Sequence, residues 1–447
     1  MNNVLTKMFL MATALTGVLY SAAAEQVSAK EDAVPENDIS FSSARMPKYA
    51  VKGEKIKYYV NFVNNGSEPV TSVTAEWLKD GESIAEETVD GLDVAAQNEG
   101  SVTLGTFSLD QEGDYDITLR ISKVNGGNDA VPADNVSPTV RTYCRSGFEK
   151  RKTLLEFFST EKCTQCPSAH YEIDGILDGK DGVVEIGHHS GYKTDRYTIP
   201  ESTALEWFYK SGKKYAPAIM VDRNNLGGVY SSVFSDNVPV VSATAANAQV
   251  LYAESQSVPA LVAVRMAAGV DNRKLSLNVS GNQLLPIDTP DSVRLYVLLT
   301  EDSISTENQA GTNGTFYHRF SVRKSLTPVW GEQIDVAGFS RDFSFYIPKT
   351  WNIDNVRAVA FVANYNATDK NDCRVLNTEE LRVRNISSPT GILESNSCDD
   401  SSWQIVSASG ITLDSGNGEA ELARSIDRQA SGILVVRTKA HTVKIFR

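Results

Sequence analysis

The stretch Leu154-Leu155-Glu156-Phe157-Phe158-Ser159-Thr160-Glu161-Lys162-Cys163-Thr164-Gln165-Cys166-Pro167 carries two cysteines, separated by two residues, shortly after an apolar run. At a strand-to-helix junction this spacing is typical of a thiol–disulfide exchange site. The unpaired N–H groups and the dipole of a helix start favour a thiolate. We therefore predict Cys163 as the attacking thiolate, with a pKa below the usual ~8.5, and Cys166 as the cysteine that resolves the mixed disulfide.

The same pair has a second interpretation, in which a closed disulfide only staples the start of the helix. Cross-linking so short a loop removes little entropy from the unfolded chain. This argument favours exchange chemistry over a purely structural role.

Residues 148–256 alternate between strand and helix patterns. A buried strand at 154–158 leads into the cysteines and a helix to Leu177, and a second strand covers 183–187. A helix at 203–211 and a strand at 215–221 follow, the strand with Pro217 near its start. Proline blocks a ladder hydrogen bond, so it needs a reason inside a central strand.

This order of elements, with Cys163-x-x-Cys166-Pro167, resembles the thioredoxin-like superfamily. The resemblance implies an α/β thioredoxin-like domain in which Pro217, after Ala216, is a cis-proline beside the cysteines. The alternative is an ordinary trans proline that opens an edge strand. Oxidoreductases of this kind commonly place an aromatic residue before the first cysteine, where this chain has Lys162.

Glu156 occupies the strand position where thioredoxin-like oxidoreductases keep a buried carboxylate behind the cysteines. Desolvation would raise its pKa and let it carry the proton of the resolving thiol. The alternative is a surface glutamate on a sheet edge. The candidate catalytic residues are therefore Cys163, Cys166, Pro217 and Glu156.

The rest of the chain has β patterns, so the predicted fold is multi-domain. Residues 30–145 predict an immunoglobulin-like β-sandwich with Trp77 in its core and Tyr115 at its corner, unless these aromatics belong to another β core. Residues 257–385 predict an antiparallel β-sandwich with one long loop from Glu301 to Gly314. Residues 386–447 predict a linker and a small C-terminal β domain.

Two family resemblances follow from these segments. The thioredoxin-like and β segments resemble the outer-membrane-protein-28-related family of Bacteroidetes. The residues that carry this likeness are Leu154–Thr160, Cys163-x-x-Cys166-Pro167, Leu298–Asp302, Tyr317-His318, Val322-Arg323, Trp330-Gly331-Glu332, Trp351-Asn352, Val359–Val362 and Val375-Leu376. The tail, with Gly432–Arg437 and Val443–Ile445, is similar to the type A C-terminal sorting domain of the type nine secretion system. This resemblance implies the secretion machinery as a partner and an outer-membrane, cell-surface or released protein.

The ends and the composition of the chain indicate export. Residues 1–24 read as a signal peptide, with Lys7 before an apolar core and Ala22-Ala23-Ala24 as the cleavage site. No later segment has the roughly 20 apolar residues of a membrane helix. The net charge of −13 argues against nucleic acid as a partner. No cofactor motif is present, and Cys144, Cys373 and Cys398 leave an odd thiol.

Three histidines near the cysteines raise a metal hypothesis. Cys163, Cys166 and His170 share a helix face at i, i+3 and i+7, and a zinc site would take His188 as a further ligand. Histidines in such surroundings, His189 included, are more often solvated or core residues, so no metal is predicted.

Two functions remain open from the sequence. One is an exported thiol–disulfide oxidoreductase whose partners are protein thiols or disulfides. The other is a non-enzymatic surface adhesin or binding protein that uses the thioredoxin-like domain as a scaffold. The paired cysteines favour the first, and the large β domains favour the second.

Overall fold

The computed structural model describes residues 34–177, 180, 182–227, 234–383, 402–407, 412–417, 419–428, 433–438 and 442–446. These residues belong to two compact units, one within 1–145 and the other within 146–447. The predicted signal peptide, Cys398 and the predicted linker lie outside the described residues. None of the helices in the described ranges is long and apolar enough to cross a membrane.

The first unit is a β-sandwich of two sheets. Its strands are β1 (Ile39–Arg45), β2 (Tyr49–Val51), β3 (Tyr58–Asn64), β4 (Val70–Lys79), β5 (Glu82–Val94), β6 (Glu99–Leu104), β7 (Gly113–Val124), β8 (Gly127–Asn128) and β9 (Val140–Arg145). One sheet has the order β1-β3-β6, and the other has the order β2-β9-β7-β4-β5 with β8 beside β7.

The core of this sandwich forms around Trp77. Its ring is fully buried and stacks on Phe107 at a centroid distance of 5.0 Å, with Tyr58 edge-on at 5.5 Å. The Tyr115 hydroxyl donates to the Gln111 carbonyl oxygen at 2.9 Å, which is the bond of a tyrosine corner. The predicted immunoglobulin-like sandwich is confirmed, with both aromatic residues in their predicted places.

The second unit contains most of the remaining elements. Its strands are β10 (Thr153–Ser159), β11 (Val183–His189), β12 (Ala218–Val221), β13 (Val241–Ser242), β14 (Val262–Asp271), β15 (Lys274–Gln283), β16 (Val293–Glu301), β17 (Ile304–Thr306), β18 (Phe316–His318), β19 (Ser321–Ser325), β20 (Glu332–Gln333), β21 (Phe339–Tyr346), β22 (Val356–Asn364) and β23 (Val375–Arg382). Its helices are α1 (Cys166–Leu177), α2 (Pro200–Ala204) and α3 (Ala245–Gln256).

A single mixed sheet crosses the predicted boundary at 256/257. Its order is β13-β12-β10-β11-β19-β16-β22-β23, with β20 beside β16. The two halves meet at Gly187, which pairs with Ser321 and whose N–H donates to the Phe320 carbonyl oxygen at 2.8 Å. The segments 148–256 and 257–385 therefore share one sheet, which corrects their prediction as separate domains.

The β-rich half of this unit is a sandwich. The antiparallel sheet β14-β15-β21 packs on β16 and β22 through alternating apolar side chains, which include Val264, Leu277, Val297 and Ala360. The predicted loop from Glu301 to Gly314 contains the short strand β17, which pairs with β18.

The helices differ in part from their prediction. The segment predicted as a helix over 203–211 is α2 followed by a 3₁₀ turn at Leu205–Phe208. Helix α3 was not predicted, although Thr244 caps it by accepting a hydrogen bond from the Asn247 N–H at 3.3 Å. Both α1 and α3 pack on the face of the sheet that carries Leu155 and Phe157.

The C-terminal residues form a small sheet with one helix. Its elements are β24 (Ser402–Ser407), β25 (Thr412–Asn417), α4 (Glu419–Arg428), β26 (Ile433–Thr438) and β27 (Thr442–Phe446). The antiparallel order is β25-β24-β26-β27. The two strands predicted from Ile433 and Val443 are present.

Candidate functional site

Cys163 and Cys166 form a disulfide at the end of β10, with their Cα atoms 5.4 Å apart. Helix α1 begins at Cys166, so Cys163 precedes the helix and Cys166 is its first residue. Pro167 fits this start, because the first turn of a helix needs no donor there. Cys163 is 3% exposed and Cys166 1%, so the disulfide is closed off from solvent.

Pro217 lies at the same end of the sheet as the disulfide. Strand β12 runs antiparallel to β10, and Phe158 pairs with Ala218. The register therefore puts Pro217 opposite the end of β10 from which the chain continues to Cys163. The Ala216–Pro217 peptide bond is cis, in agreement with the predicted geometry. A catalytic role for Pro217 stays a prediction.

Glu156 faces away from the helix that carries Cys166. Side chains alternate along a strand, and Phe157 points to α1, where its ring stacks on His170 at 3.8 Å. Glu156 is fully buried on the other face, where the Arg223 Nε and Nη2 atoms each donate to it at 3.0 Å.

The surroundings of Glu156 contradict its predicted chemistry. Burial alone would raise its pKa, but the charge and hydrogen bonds of Arg223, with His188, lower that pKa to about 2. The carboxylate is therefore ionised and paired, so it cannot carry a thiol proton near neutral pH. The predicted raised pKa and proton shuttle are wrong, and so is the alternative of a surface glutamate.

Arg223 is held by aromatic rings as well as by Glu156. Its guanidinium carbon lies 5.0 Å from the ring centroid of Phe208, 4.8 Å from that of Tyr296 and 4.9 Å from that of Phe361. A cavity of about 20 Å³ adjoins this group, with room for a water molecule. Arg223 Nη1 and the Tyr296 hydroxyl have no hydrogen-bond partner among the described residues.

A group of histidines lies on the α1 side of the sheet. His189 Nδ1 is 2.8 Å from Asp195 Oδ2, which also accepts from the Glu161 N–H at 2.7 Å, two residues before Cys163. The rings of His189 and His318 are 4.7 Å apart. Burial lowers the pKa of both His170 and His318 to about 3, so their imidazoles are neutral at pH 7.

The zinc arrangement considered from the sequence does not form. His188 pairs with Phe158 in the sheet, which directs it to the Glu156 face, whereas His170 lies on the α1 face. Among the described residues, no group of histidine, cysteine, aspartate or glutamate side chains has the arrangement to hold a metal ion. Cys144 and Cys373 are buried free thiols.

Three residues of this region were missed by sequence reasoning. Arg223 and Asp195 lie in loops, where no periodic pattern marks a buried charge. Gln309 lies in the predicted long loop, and its side-chain amide donates to the Cys163 carbonyl oxygen at 2.9 Å. The one available signal was the Asp222-Arg223 pair directly after a strand, because charged residues need partners when buried.

One family model and several solved structures match parts of this chain. The CARDB family model matches residues 36–137, within the first unit. No curated protein matches the chain. Among solved structures, the chain is similar to HBP35 of Porphyromonas gingivalis, with 15% identity and a TM-score of 0.45 over 67% of this chain and 99% of that chain.

Two shorter structures are also similar. One is a domain of the outer membrane lipoprotein Omp28 from Porphyromonas gingivalis, with 18% identity and a TM-score of 0.20 over 28% of this chain and 90% of that chain. The other is the CARDB domain of the PF1109 protein from Pyrococcus furiosus, with 19% identity and a TM-score of 0.20 over 25% of this chain and 92% of that chain. Such likenesses concern the fold alone.

Proposed function

We propose that this protein is exported to the outer membrane or cell surface and that its Cys163–Cys166 pair exchanges disulfides with partner proteins. The exchange would take place in an α/β region of thioredoxin-like design. The observation that carries the proposal is the closed pair at the start of α1, at the same sheet end as Pro217.

The proposed reaction conserves atoms and electrons. In the reduced protein, the Cys163 thiolate attacks a partner disulfide and displaces one partner thiolate, which leaves a mixed disulfide. The Cys166 thiolate then attacks the Cys163 sulfur and releases the second partner thiolate. The protein dithiol is oxidised by two electrons, the partner disulfide is reduced to a dithiol, and the two protons pass to the partner thiolates.

The test is to trap the mixed disulfide. The change Cys166→Ser removes the resolving thiol, so partners are expected to accumulate on Cys163 in exported material quenched with acid and alkylated. Mass spectrometry would identify the linked peptides. Cys163→Ser is the matched control and should trap few partners. An absence of linked partners in both variants, with a wild-type disulfide that resists strong reductants, would refute the exchange proposal.

A second function has its own support, namely a surface-binding protein in which the disulfide is only structural. The near-complete burial of both cysteines favours this alternative. It predicts that the disulfide stays oxidised during reductant titration of the folded protein and that Cys166→Ser changes stability alone.

Export and surface attachment are part of the proposal. The supporting features are the signal-peptide pattern of residues 1–24 and the resemblance of the tail to a sorting domain. The described tail residues form a four-stranded antiparallel sheet, a shape compatible with a separate module. The secretion machinery would bind this module.

A further inference from the structure

The segment 307–312, between β17 and β18, lies against the turn that carries Cys163. The Gln309 amide Nε2 donates to the Cys163 carbonyl oxygen at 2.9 Å and lies 3.4 Å from that of Thr160. The next N–H, of Ala310, donates to the Glu161 carbonyl oxygen at 2.7 Å. The segment therefore bonds to the backbone on both sides of Lys162.

Gly311, the residue after Ala310, also lies very close to the turn that carries Cys163. Gly311 has a φ of +83°, and a Cβ atom there would overlap the Thr164 carbonyl oxygen. Only glycine leaves room for this approach of the two backbones. The 307–312 segment therefore contacts the backbone of the turn from Thr160 to Thr164, on both sides of Cys163.

The Gln309 side chain is the buried part of this segment. Gln309 is 3% exposed, whereas Glu307, Asn308 and Gly311 are exposed. Its amide has two hydrogens, yet it lies within bonding distance of three carbonyl oxygens, the third that of Ala310 at 3.1 Å. Its Oε1 atom is buried without a partner in the part of the chain that the structure describes. Two amide hydrogens cannot satisfy three carbonyl oxygens at once, and the Oε1 atom makes no bond to the described residues. Another hydrogen-bond donor can therefore replace the Gln309 amide at a low cost in free energy.

We infer that Gln309 determines which partners reach Cys163, because its amide occupies the place that a backbone N–H of a docking peptide would take. This inference rests on the proposed exchange function. The partner it fits is an extended peptide with a cysteine, whose N–H groups bond to the carbonyl oxygens of Cys163 and Thr160 as the 307–312 segment moves away. Such a peptide has the donor that Gln309 now supplies.

The experiment measures how fast the disulfide of the full-length folded protein is reduced. Glutathione serves as the peptide thiol and dithiothreitol as the small reductant, and alkylation followed by mass spectrometry counts the reduced pairs. Gln309→Ala is expected to raise the glutathione rate roughly tenfold, as for the loss of about one hydrogen bond. Gln309→Glu should also raise it, since a carboxylate cannot donate.

The matched control is Asn313→Ala, at the exposed tip of the same loop, which should leave the rate unchanged. Hydrogen exchange at the Ala310 N–H reports whether the segment has left the Cys163 turn. A released segment without faster reduction would overturn the inference, and so would an unchanged rate in Gln309→Ala with the segment still bound. If that variant does not fold, Gly311→Ala tests the same contact and should accelerate reduction.

The outcome of this experiment can be distinguished from the outcome of the trapping experiment that tests the proposed function. Faster reduction in Gln309→Ala without trapped partners in Cys166→Ser would support the role of Gln309 in controlling access to Cys163 and would refute exchange with proteins. Trapped partners with no effect of Gln309→Ala on the reduction rate would support exchange and refute that role of Gln309.

Discussion

Arg223 is a buried cation held between three aromatic rings and one carboxylate. Its backbone has a φ of +51°, next to Asp222 at +49°, so two consecutive residues lie in the left-handed region. Asp222 is itself buried and pairs with Arg151 at 2.9 Å. The Arg223–Glu156 and Arg151–Asp222 ion pairs connect the loop after β12 to β10 and to the residues just before it, so they stabilise the second unit. The alternation of β10 directs Glu156 into this network and away from the cysteines.

Loss of the Arg223 charge should destabilise the second unit. We expect Arg223→Met to cost about 3–5 kcal/mol of unfolding free energy, because it removes the guanidinium that pairs with the buried Glu156 carboxylate. The double variant Glu156→Leu/Arg223→Met should recover most of that loss, since neither member of the pair is left as a buried charge without its partner. Calorimetry of the full-length proteins at pH 7 measures both. Equal destabilisation in the single and double variants would contradict a paired role.

The same pair predicts a pH dependence. The folded pKa of Glu156, about 2, lies below the unfolded value of about 4.3, so its contribution is complete above that unfolded value. It is lost as the pH falls from about 4 to about 2, where the folded carboxylate takes up a proton. The Glu156→Leu/Arg223→Met variant has no carboxylate at position 156, so its unfolding free energy should not show this loss between about pH 4 and about pH 2.

At the scale of elements, the two halves of the large mixed sheet meet at a junction between two strands with little pairing. Strands β11 and β19 pair only through Gly187 and Ser321 within the described residues. Arg319 and Asp174 form an ion pair that links α1 to the segment before β19. The junction joins the cysteine-bearing half of the sheet to the half whose loop carries Gln309.

Gly187→Ala tests this junction. A Cβ atom at 187 would lie 2.8 Å from the Arg319 carbonyl oxygen, so the two strands must separate. We expect a loss of about 1–3 kcal/mol in chemical unfolding of the full chain, as for overpacking of a core. Gly175→Ala in α1 is the control, because its Cβ meets open space and should stabilise the helix by about 0.5–1 kcal/mol. Similar effects of the two changes would argue against a close junction.

At the scale of the whole molecule, the described residues divide into a β-sandwich, which the CARDB family model matches over residues 36–137, and a larger unit built on one mixed sheet. Each unit has its own apolar core. Trp77 lies in the core of the first unit, and the second unit has one cluster that contains Leu155 and Phe157 and another that contains Val297 and Ala360. The disulfide and the loop that contacts the Cys163 turn both belong to the second unit, so the proposed chemistry needs no residue of the first.

Removal of residues 387–447 tests the sorting role of the tail. If the tail is read by the secretion machinery, the truncated protein should remain in the periplasm, whereas the full chain reaches the surface. Cell fractionation and surface protease digestion distinguish the two locations. A variant that changes exposed Leu413 to Ala is the control and should be displayed normally. Surface display of the truncated protein would exclude the sorting assignment.

Local patterns in the sequence were sufficient for much of this structure. Period-two alternation around Trp77 predicts the sandwich, and the Asp80-Gly81 turn closes its β4–β5 hairpin with two positive φ angles. The spacing of Cys163 and Cys166 predicts a pair able to form the disulfide, and the proline in a strand marks Pro217. Each of these features depends on residues close together in the chain.

Tertiary structure decided the environment of the site. Glu156 meets Arg223 across 67 residues, and Cys163 meets Gln309 across 146 residues. Such contacts depend on which strands pair and on which face each side chain lies, because a shift of one residue exchanges the two faces. The chain by itself therefore identifies the two sulfurs, whereas only the continuous sheet determines that Glu156 pairs with Arg223 and that a distant loop contacts the Cys163 turn.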